Sequence, residues 1–139
     1  MPLHQLIYTS RPFGYDDSTL DAILFSARHH NKLNDVTGAL ICREDIFLQL
    51  LEGPKPAVEA TFARIAKDGR HVSPLVLVTG EVAERQFPTW DMRHDPAHSW
   101  LWTPDDVWAG APQKASPAVI LSIFARVAAE QDEGEEALV

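Results

Sequence analysis

The run Ile46-Phe47-Leu48-Gln49-Leu50-Leu51 constrains the fold more than any other segment of the chain. It is apolar on both faces except for Gln49, and a strand of this kind must be covered by other elements on each side. The preceding segment, Thr37 to Cys42, is also apolar and strand-like, and the polar turn Arg43-Glu44-Asp45 joins the two. The sequence therefore predicts a hairpin whose second strand lies at the centre of a sheet.

The elements around this hairpin follow a regular order. Further strands are predicted at residues 3–10, at the buried segment 75–78 and at residues 86–93. Helices are predicted after the capping box Ser18-Thr19-Leu20-Asp21 and from about Lys55 to Asp68. The order β-α-β-β-α-β-β is the ferredoxin-like pattern with one added strand. This predicts an α+β fold with both helices on one face of the sheet.

The last third of the chain carries a separate amphipathic helix. Thr103 or Pro104 can start a short helix, and Ser116-Pro117 is an N-cap followed by a first-turn proline. The later helix has an apolar stripe formed by Ile120, Ile123, Phe124 and Val127. That stripe must bury against something, and the open sheet face is the economical choice, with a partner protein as the alternative.

We therefore divide the chain into three segments. Residues 1–94 form the main domain, residues 95–130 form a helical extension packed on the sheet, and residues 131–139 form an acidic tail. The tail is expected to be solvated and disordered because acidic residues are concentrated there.

Composition excludes several classes of function. A net charge of −8, from 12 basic and 20 acidic residues, offers no basic footprint for nucleic acid and would be repelled by an anionic membrane. No run approaches the roughly 20 apolar residues that span a bilayer, and the start does not resemble a signal peptide. Cys42 is the single cysteine, and no His/Cys pairs have metal-ligand spacing. We expect a cytoplasmic domain without a metal.

Three neutral polar residues, Tyr8, Asn31 and Gln49, stand on apolar faces of these elements. Alone, each has an ordinary explanation: a core aromatic with a bonded hydroxyl, a helix C-cap, and an amide bonded to nearby backbone. In the predicted fold, however, Tyr8 and Gln49 can be neighbours and the first helix brings Asn31 over them. Such groups around an apolar slot suit a flat heterocycle with carbonyls and ring nitrogens. They supply no activated nucleophile or paired base, so no enzyme activity is predicted.

Charged and imidazole side chains could form the edges of this slot. They are His30, beside Asn31, and a group on and after the second helix, Arg64, Asp68, Arg70 and His71. For Arg64 and Asp68, a surface ion pair at helical spacing is the simpler alternative.

Five segments together resemble the BLUF domain, a blue-light sensor that uses FAD. They are Leu6-Ile7-Tyr8-Thr9-Ser10, His30-Asn31 through Thr37-Gly38-Ala39-Leu40, Phe47 through Pro54, Lys67-Asp68-Gly69-Arg70-His71, and Phe87-Pro88-Thr89-Trp90-Asp91-Met92. The similarity covers residues 3 to about 94 in order and with matching spacings. The chain is similar to the short stand-alone type, which has two C-terminal helices and no fused enzyme domain.

The resemblance implies roles for individual residues. Tyr8 would donate an electron and a proton to the excited flavin, and Gln49 would be the hydrogen-bond switch between that phenol and the ring. Trp90 and Met92 would sense the state of Gln49. The residues that the resemblance places at the flavin are Tyr8, His30, Asn31, Lys32, Gln49, Arg64, Asp68, Arg70 and His71. Lys32 departs from the second amide that some members carry.

The function implied by the resemblance is a photoreceptor that binds FAD non-covalently. It would signal to a separate, unknown protein partner, with no contact to nucleic acid or membrane, and it leaves a homo-oligomer open. Two alternatives remain at this point. One is a flavin-dependent oxidoreductase, which would need a substrate pocket and a proton-handling group. The other is a ligand-free interaction module whose polar core groups are structural.

Overall fold

The computed structural model describes residues 3–12, 17–69, 71–87, 93–96 and 101–138. The strands are β1 (Leu3–Pro12), β2 (Thr37–Arg43), β3 (Ile46–Gly53), β4 (His71–Val82) and β5 (Arg93–Pro96). The helices are α1 (Asp17–Asn34), α2 (Lys55–Ala66), α3 (Pro104–Trp108), α4 (Ala111–Lys114) and α5 (Pro117–Leu138). The predicted ferredoxin-like order is confirmed, with α3, α4 and α5 following it.

The five strands form one sheet in the order β4-β1-β3-β2-β5. β1 pairs antiparallel with β3 and β4, and β2 pairs antiparallel with β3. β5 joins β2 in parallel at the far edge. Every residue of β3 is buried, which confirms the central strand predicted from its two apolar faces. In its register with β1, Gln49 lies directly opposite Tyr8.

Alternating side chains of the central strands enter two separate cores. On one face, strand residues including Leu6, Tyr8, Phe47 and Leu51 pack with α1 and α2. On the other face, strand residues including Ile7, Leu48 and Leu50 pack with α5. The whole predicted stripe of α5 is buried there: Ile120, Ile123, Phe124 and Val127. The C-terminal helix therefore covers the face opposite α1 and α2, as predicted.

The caps of the C-terminal helices follow the predicted signals. Thr103 Oγ1 accepts a hydrogen bond from Asp106 N at 3.1 Å, and the Asp106 carboxylate accepts one from Thr103 N at 3.2 Å. Ser116 Oγ accepts a hydrogen bond from Val119 N at 3.3 Å. Each cap satisfies a backbone N–H that has no partner inside its helix. At α1 the outcome differs, because the helix begins at Asp17 and Ser18 already lies within it.

One glycine is required where β2 and β3 lie close together. A Cβ on Gly38 would stand 1.8 Å from the backbone oxygen of Leu50, which is far inside van der Waals contact. A glycine at this position lets the two strands pair at the centre of the sheet.

Three boundaries differ from the sequence predictions. β4 extends from His71 to Val82, so the strand predicted at 75–78 is confirmed, but Leu75 and Val76 are exposed and its predicted burial is wrong. The reason is position, since among the described strands β4 lies at the sheet edge and pairs only with β1. β5 begins at Arg93, whereas residues 88–92 of the strand predicted at 86–93 lie outside the described residues. α2 ends at Ala66, two residues before the predicted Asp68.

The last helix also extends further than expected. α5 runs to Leu138 and so includes most of the predicted acidic tail, residues 131–139. Alanine, glutamate, glutamine and leucine in this stretch are all good helix formers. The three-segment division of the chain stays a prediction. Within the described residues, no helix is long and apolar enough to cross a membrane.

Candidate functional site

A hydrogen bond between two buried polar side chains lies at the centre of the sheet. The Tyr8 hydroxyl donates to Oε1 of Gln49, its neighbour across the β1–β3 pairing. Tyr8 has no exposed surface and Gln49 is 3% exposed, so water does not compete for this bond. The predicted proximity of the two residues on the helix-facing side is confirmed.

The environment of Tyr8 holds its proton on the phenol. Burial raises the pKa of Tyr8 well above its usual value of 10.0, and the negative charge of Asp68 raises it further. The phenol therefore stays neutral across the physiological pH range and acts as the donor. Beyond the lone pair that accepts this hydrogen, the Gln49 amide has one more lone pair and two N–H donors. The pair thus combines a neutral hydroxyl donor with a group that can both donate and accept.

Aromatic side chains hold Tyr8 in place. Its ring lies 5.3 Å from that of Phe62 and 6.1 Å from that of His71, between ring centroids. His71 also contacts Phe47, at 4.9 Å between centroids, and its Nδ1 is hydrogen-bonded to Ser10 Oγ at 2.9 Å. These contacts tie α2, β3 and β4 to the phenol, so the Tyr8 ring cannot turn without moving its neighbours.

A small cleft opens beside the Tyr8–Gln49 pair, between α1 and α2. Its volume is about 70 Å³, and its lining is Ile23, Ser26, Ala27, Asn31, Gln49, Thr61, Arg64, Ile65, Asp68 and His71. The amides of Asn31 and Gln49 meet here, and both residues are buried. The cleft thus combines apolar walls with neutral amides and a charged rim, which is a lining that suits a flat heterocycle. Its volume is well below the roughly 300 Å³ of an ordinary ligand pocket, so the match is in the chemistry of the lining and not in the space.

The cleft contains several of the residues predicted for the site. Asn31, Gln49, Arg64, Asp68 and His71 line it together, and Tyr8 is joined to it through Gln49. Arg64 is exposed and Asp68 is partly buried, so the charges lie toward the solvent side.

Other predicted site residues lie elsewhere. Nδ1 of His30 donates to the backbone oxygen of Ser26 at 2.8 Å, within its own helix, and its ring contacts His29. Lys32 is exposed on α1, and neither it nor His30 lines the cleft. Arg70, Trp90 and Met92 lie outside the described residues.

Two hydroxyl residues in the cleft were not predicted. Ser26 lines it from α1, and the buried Thr61 lines it from α2, where its Oγ1 donates to the backbone oxygen of Ala57 at 2.7 Å. The signal in the sequence is weak, because a threonine or serine that bonds its own helix backbone is common. Among the described residues, no group of three or more side chains could hold a metal ion.

Comparison with known protein families and sequences gives a consistent result. A family model described as "BLUF: Sensors of blue-light using FAD" matches residues 3–93. The chain is 36% identical over 80 residues to the photoactivated adenylate cyclase subunit beta of Euglena gracilis. It is 32% identical over 68 residues to the blue light- and temperature-regulated antirepressor BluF of Escherichia coli. These matches cover 58% and 49% of this chain but 9% and 17% of the relatives, so the chain matches only a small part of their lengths.

Solved structures give the same result for nearly the whole chain. The dark-state structure of BlrB, a BLUF protein, matches with a TM-score of 0.76 at 26% identity, covering 93% of this chain and 97% of that chain. The photo-activated state of BlsA matches with a TM-score of 0.73 at 27% identity, covering 88% and 91%. Since residues 3–93 make up less than 93% of the chain, the likeness to BlrB extends beyond the family match.

Proposed function

The chain belongs to the BLUF family, sensors of blue light using FAD, and from this premise we propose that it binds FAD non-covalently between α1 and α2. A flavin is the cofactor of the family, and FAD is the form that the family description names. The observation that carries the proposal is the buried Tyr8–Gln49 hydrogen bond at the edge of a cleft that Asn31 also lines.

The donor set suits the two ends of such a ligand. The amides of Asn31 and Gln49 can donate to ring carbonyls and accept from a ring N–H, because each carries both kinds of group. Arg64 stands at the exposed rim, where a guanidinium suits the phosphate end of a dinucleotide. His30, Lys32 and Arg70 remain proposed flavin-binding residues on the family resemblance alone.

The switch is proposed to reside in the Tyr8–Gln49 pair. A bound flavin would supply light absorption and a one-electron acceptor. Tyr8 is suited to give that electron because its phenolic proton already points at an acceptor, Oε1 of Gln49. The amide can then exchange its donor and acceptor ends by rotation or tautomer change at small steric cost. With the electron and the proton back on Tyr8, the pair would be left with a changed hydrogen-bond pattern, which is a switch with two discrete states.

The output is proposed to pass to a separate protein. The chain matches 9% of a photoactivated cyclase, a longer protein in which the matched region accompanies other sequence. We propose that the present chain catalyses no turnover, acts in the cytoplasm and contacts neither nucleic acid nor membrane. Trp90 and Met92 are the proposed sensors of the Gln49 state.

The absorption spectrum of the purified protein before and after blue light tests the proposal. We expect a yellow protein whose flavin bands shift on illumination and return in the dark, with FAD released by heat or acid. Recovery of FMN instead would correct the identity of the cofactor and keep the photoreceptor. A colourless protein that stays colourless with excess flavin would favour the ligand-free module. Steady turnover with a pyridine nucleotide would favour the oxidoreductase.

A further inference from the structure

Glu52 is a charged residue with no exposed surface, and the flavin site does not use it. It follows Leu48 and Leu50 on β3, so its side chain lies on the sheet face covered by α5 rather than on the face of the cleft. A buried carboxylate is costly unless hydrogen bonds and an opposite charge compensate it. The groups that bind the Glu52 carboxylate therefore indicate its role in the structure.

Both oxygens of the Glu52 carboxylate are used by one short segment. Oε1 accepts from the backbone N–H of Phe87 at 2.6 Å, and Oε2 accepts from that of Gln86 at 3.0 Å. The side chain of Gln5 on β1 provides a further hydrogen bond. Residues 83–87 belong to no helix or strand, so no backbone ladder positions them. The carboxylate takes the place of that ladder.

Arg85, which belongs to the same segment, adds further hydrogen bonds to the sheet. Its Nη1 donates to Thr37 Oγ1 at 2.8 Å and to the backbone oxygen of Glu52 at 3.2 Å. Its Nη2 donates to the backbone oxygen of Asp35 at 2.9 Å and lies 3.0 Å from the Asp35 carboxylate. The segment is therefore held in two ways. The Arg85 guanidinium bonds residues at or just before the start of β2 and at the end of β3, and the backbone N–H groups of Gln86 and Phe87 bond Glu52 at the end of β3.

The segment continues into the core beneath α5. The Phe87 ring is 1% exposed, and its centroid lies 6.4 Å from that of the fully buried Phe124, at an edge-to-face angle of 81°. Phe124 belongs to the apolar stripe of α5. A continuous set of contacts thus runs from β3 through the carboxylate and the Phe87 backbone to the C-terminal helix.

We propose that Glu52 is a positioning residue that couples the strand carrying Gln49 to α5, through its hydrogen bonds to Gln86 and Phe87. The inference rests on the proposed switch at Gln49, three residues earlier on the same strand. A change at Gln49 that shifts β3 also moves the carboxylate, and with it the Phe87 ring that packs on Phe124. Packed side chains and hydrogen-bond networks can carry such coupling, and Glu52, Phe87 and Phe124 are all buried here, while Gln86 is partly buried.

The substitution Glu52→Gln tests the coupling because it keeps the shape and replaces one oxygen by an NH₂ group. That group faces a backbone N–H, so one of the two hydrogen bonds to the segment is lost. The full chain with bound flavin is measured in two ways: the light-induced shift of the flavin spectrum, and hydrogen exchange of residues 117–129 in dark and light. Glu44→Gln, an exposed position in the β2–β3 turn, is the matched control.

We expect wild type and Glu44→Gln to show both the spectral shift and a light-dependent change of exchange in α5. Glu52→Gln should keep the spectral shift and lose most of the change in α5. A normal change in α5 in Glu52→Gln, or none in the wild type, would overturn the coupling and leave the photochemistry standing. Absence of any spectral shift in the wild type would overturn the proposed function and this inference together.

A second variant keeps the test decisive if Glu52→Gln does not fold. Phe87→Leu leaves the carboxylate and its two backbone hydrogen bonds in place and removes the ring contact with Phe124. It should likewise keep the spectral shift and lose most of the light response of α5. A light-dependent change of hydrogen exchange in α5 that is as large in Phe87→Leu as in wild type would overturn the proposed coupling through Phe87.

Discussion

Replacing Gln49 by leucine removes the acceptor of the Tyr8 hydroxyl with little change in side-chain size. The hydroxyl belongs to a side chain with no exposed surface, so water cannot replace the lost partner. A buried donor left without an acceptor costs about 1–3 kcal/mol, and full burial places this one in the upper half of that range. Tyr8→Phe should lower the free energy of unfolding by less, about 1 kcal/mol. It leaves the amide oxygen of Gln49 short of a donor, and a carbonyl oxygen, which has two lone pairs, tolerates this better than a hydroxyl tolerates the loss of its acceptor.

The double substitution Tyr8→Phe/Gln49→Leu removes both partners and leaves neither the phenol nor this amide unmatched. Its cost should therefore fall short of the sum of the single costs by about 1–2 kcal/mol, which lies within the roughly 0.5–3 kcal/mol found for residues in direct contact. Other contacts of Gln49 are lost equally in Gln49→Leu and in the double variant. They therefore cancel when the cost of the double variant is compared with the sum of the two single costs.

Urea unfolding of the four proteins measures this coupling. Flavin must be present at the same multiple of the dissociation constant for each protein, because a ligand that binds only the folded state raises its stability by mass action. Both single variants should also lose the light-induced spectral shift. Costs that add to within about 0.5 kcal/mol would refute the reasoning, since they would mean that the two side chains do not depend on each other.

Three further predictions concern the cleft, the sheet and the buried carboxylate. Asn31→Ala should weaken flavin binding roughly 5- to 150-fold, the equivalent of about 1–3 kcal/mol of lost hydrogen bonding. Asn34 is exposed on the same helix, so Asn34→Ala should leave flavin binding unchanged in a fluorescence titration. Equal flavin affinities of the Asn31→Ala and Asn34→Ala variants would contradict the role of Asn31. Gly38→Ala should destabilise the fold by about 3 kcal/mol or more, because of the 1.8 Å approach to backbone. Gly80→Ala, where a Cβ meets nothing within 4 Å, should stay within about 0.5 kcal/mol of wild type, and similar melting temperatures for both would contradict the packing argument. The free energy of unfolding of wild type should decrease, relative to Glu52→Gln, as the pH rises from about 4.5 toward neutrality.

The direction of the pH effect follows from the surroundings of Glu52. Burial raises its pKa above the usual 4.5, and the hydrogen bonds from Gln86, Phe87 and Gln5 and the charge of Arg85 oppose that rise without cancelling it. A carboxyl whose pKa is higher in the folded state stabilises the fold fully below its unfolded pKa. That contribution is lost as the pH rises through the folded value. A stability difference that stays constant with pH, measured by urea unfolding, would show that Glu52 does not titrate there.

The sequence predicted the parts of the structure that depend on local pattern. The two apolar faces of Ile46–Leu51 required a central strand, and that strand places Gln49 against Tyr8. The apolar stripe of α5 required a covered surface, and the sheet provides it. In each case the spacing of the apolar residues along the sequence indicates which face of the strand or helix must be buried.

The features that were missed depend on partners far away in the sequence. The exposure of β4 follows from its place at the sheet edge, which the segment 75–78 does not encode. Glu52 reads as the end of a strand, and its burial depends on Phe87, 35 residues later. Local pattern gives no signal for such contacts.

The parallel attachment of β5 has a consequence for how the sheet can open. β5 has four residues and pairs only with β2 in the described sheet, whereas the other four strands form a longer antiparallel array. Parallel pairing is slightly weaker per residue, and a short edge strand has few ladder bonds to break. Detaching the described part of β5 therefore breaks few ladder bonds, and it leaves the registration of β1 with β3 unchanged. β5 can therefore separate from β2 at the sheet edge while the Tyr8–Gln49 pair keeps its geometry.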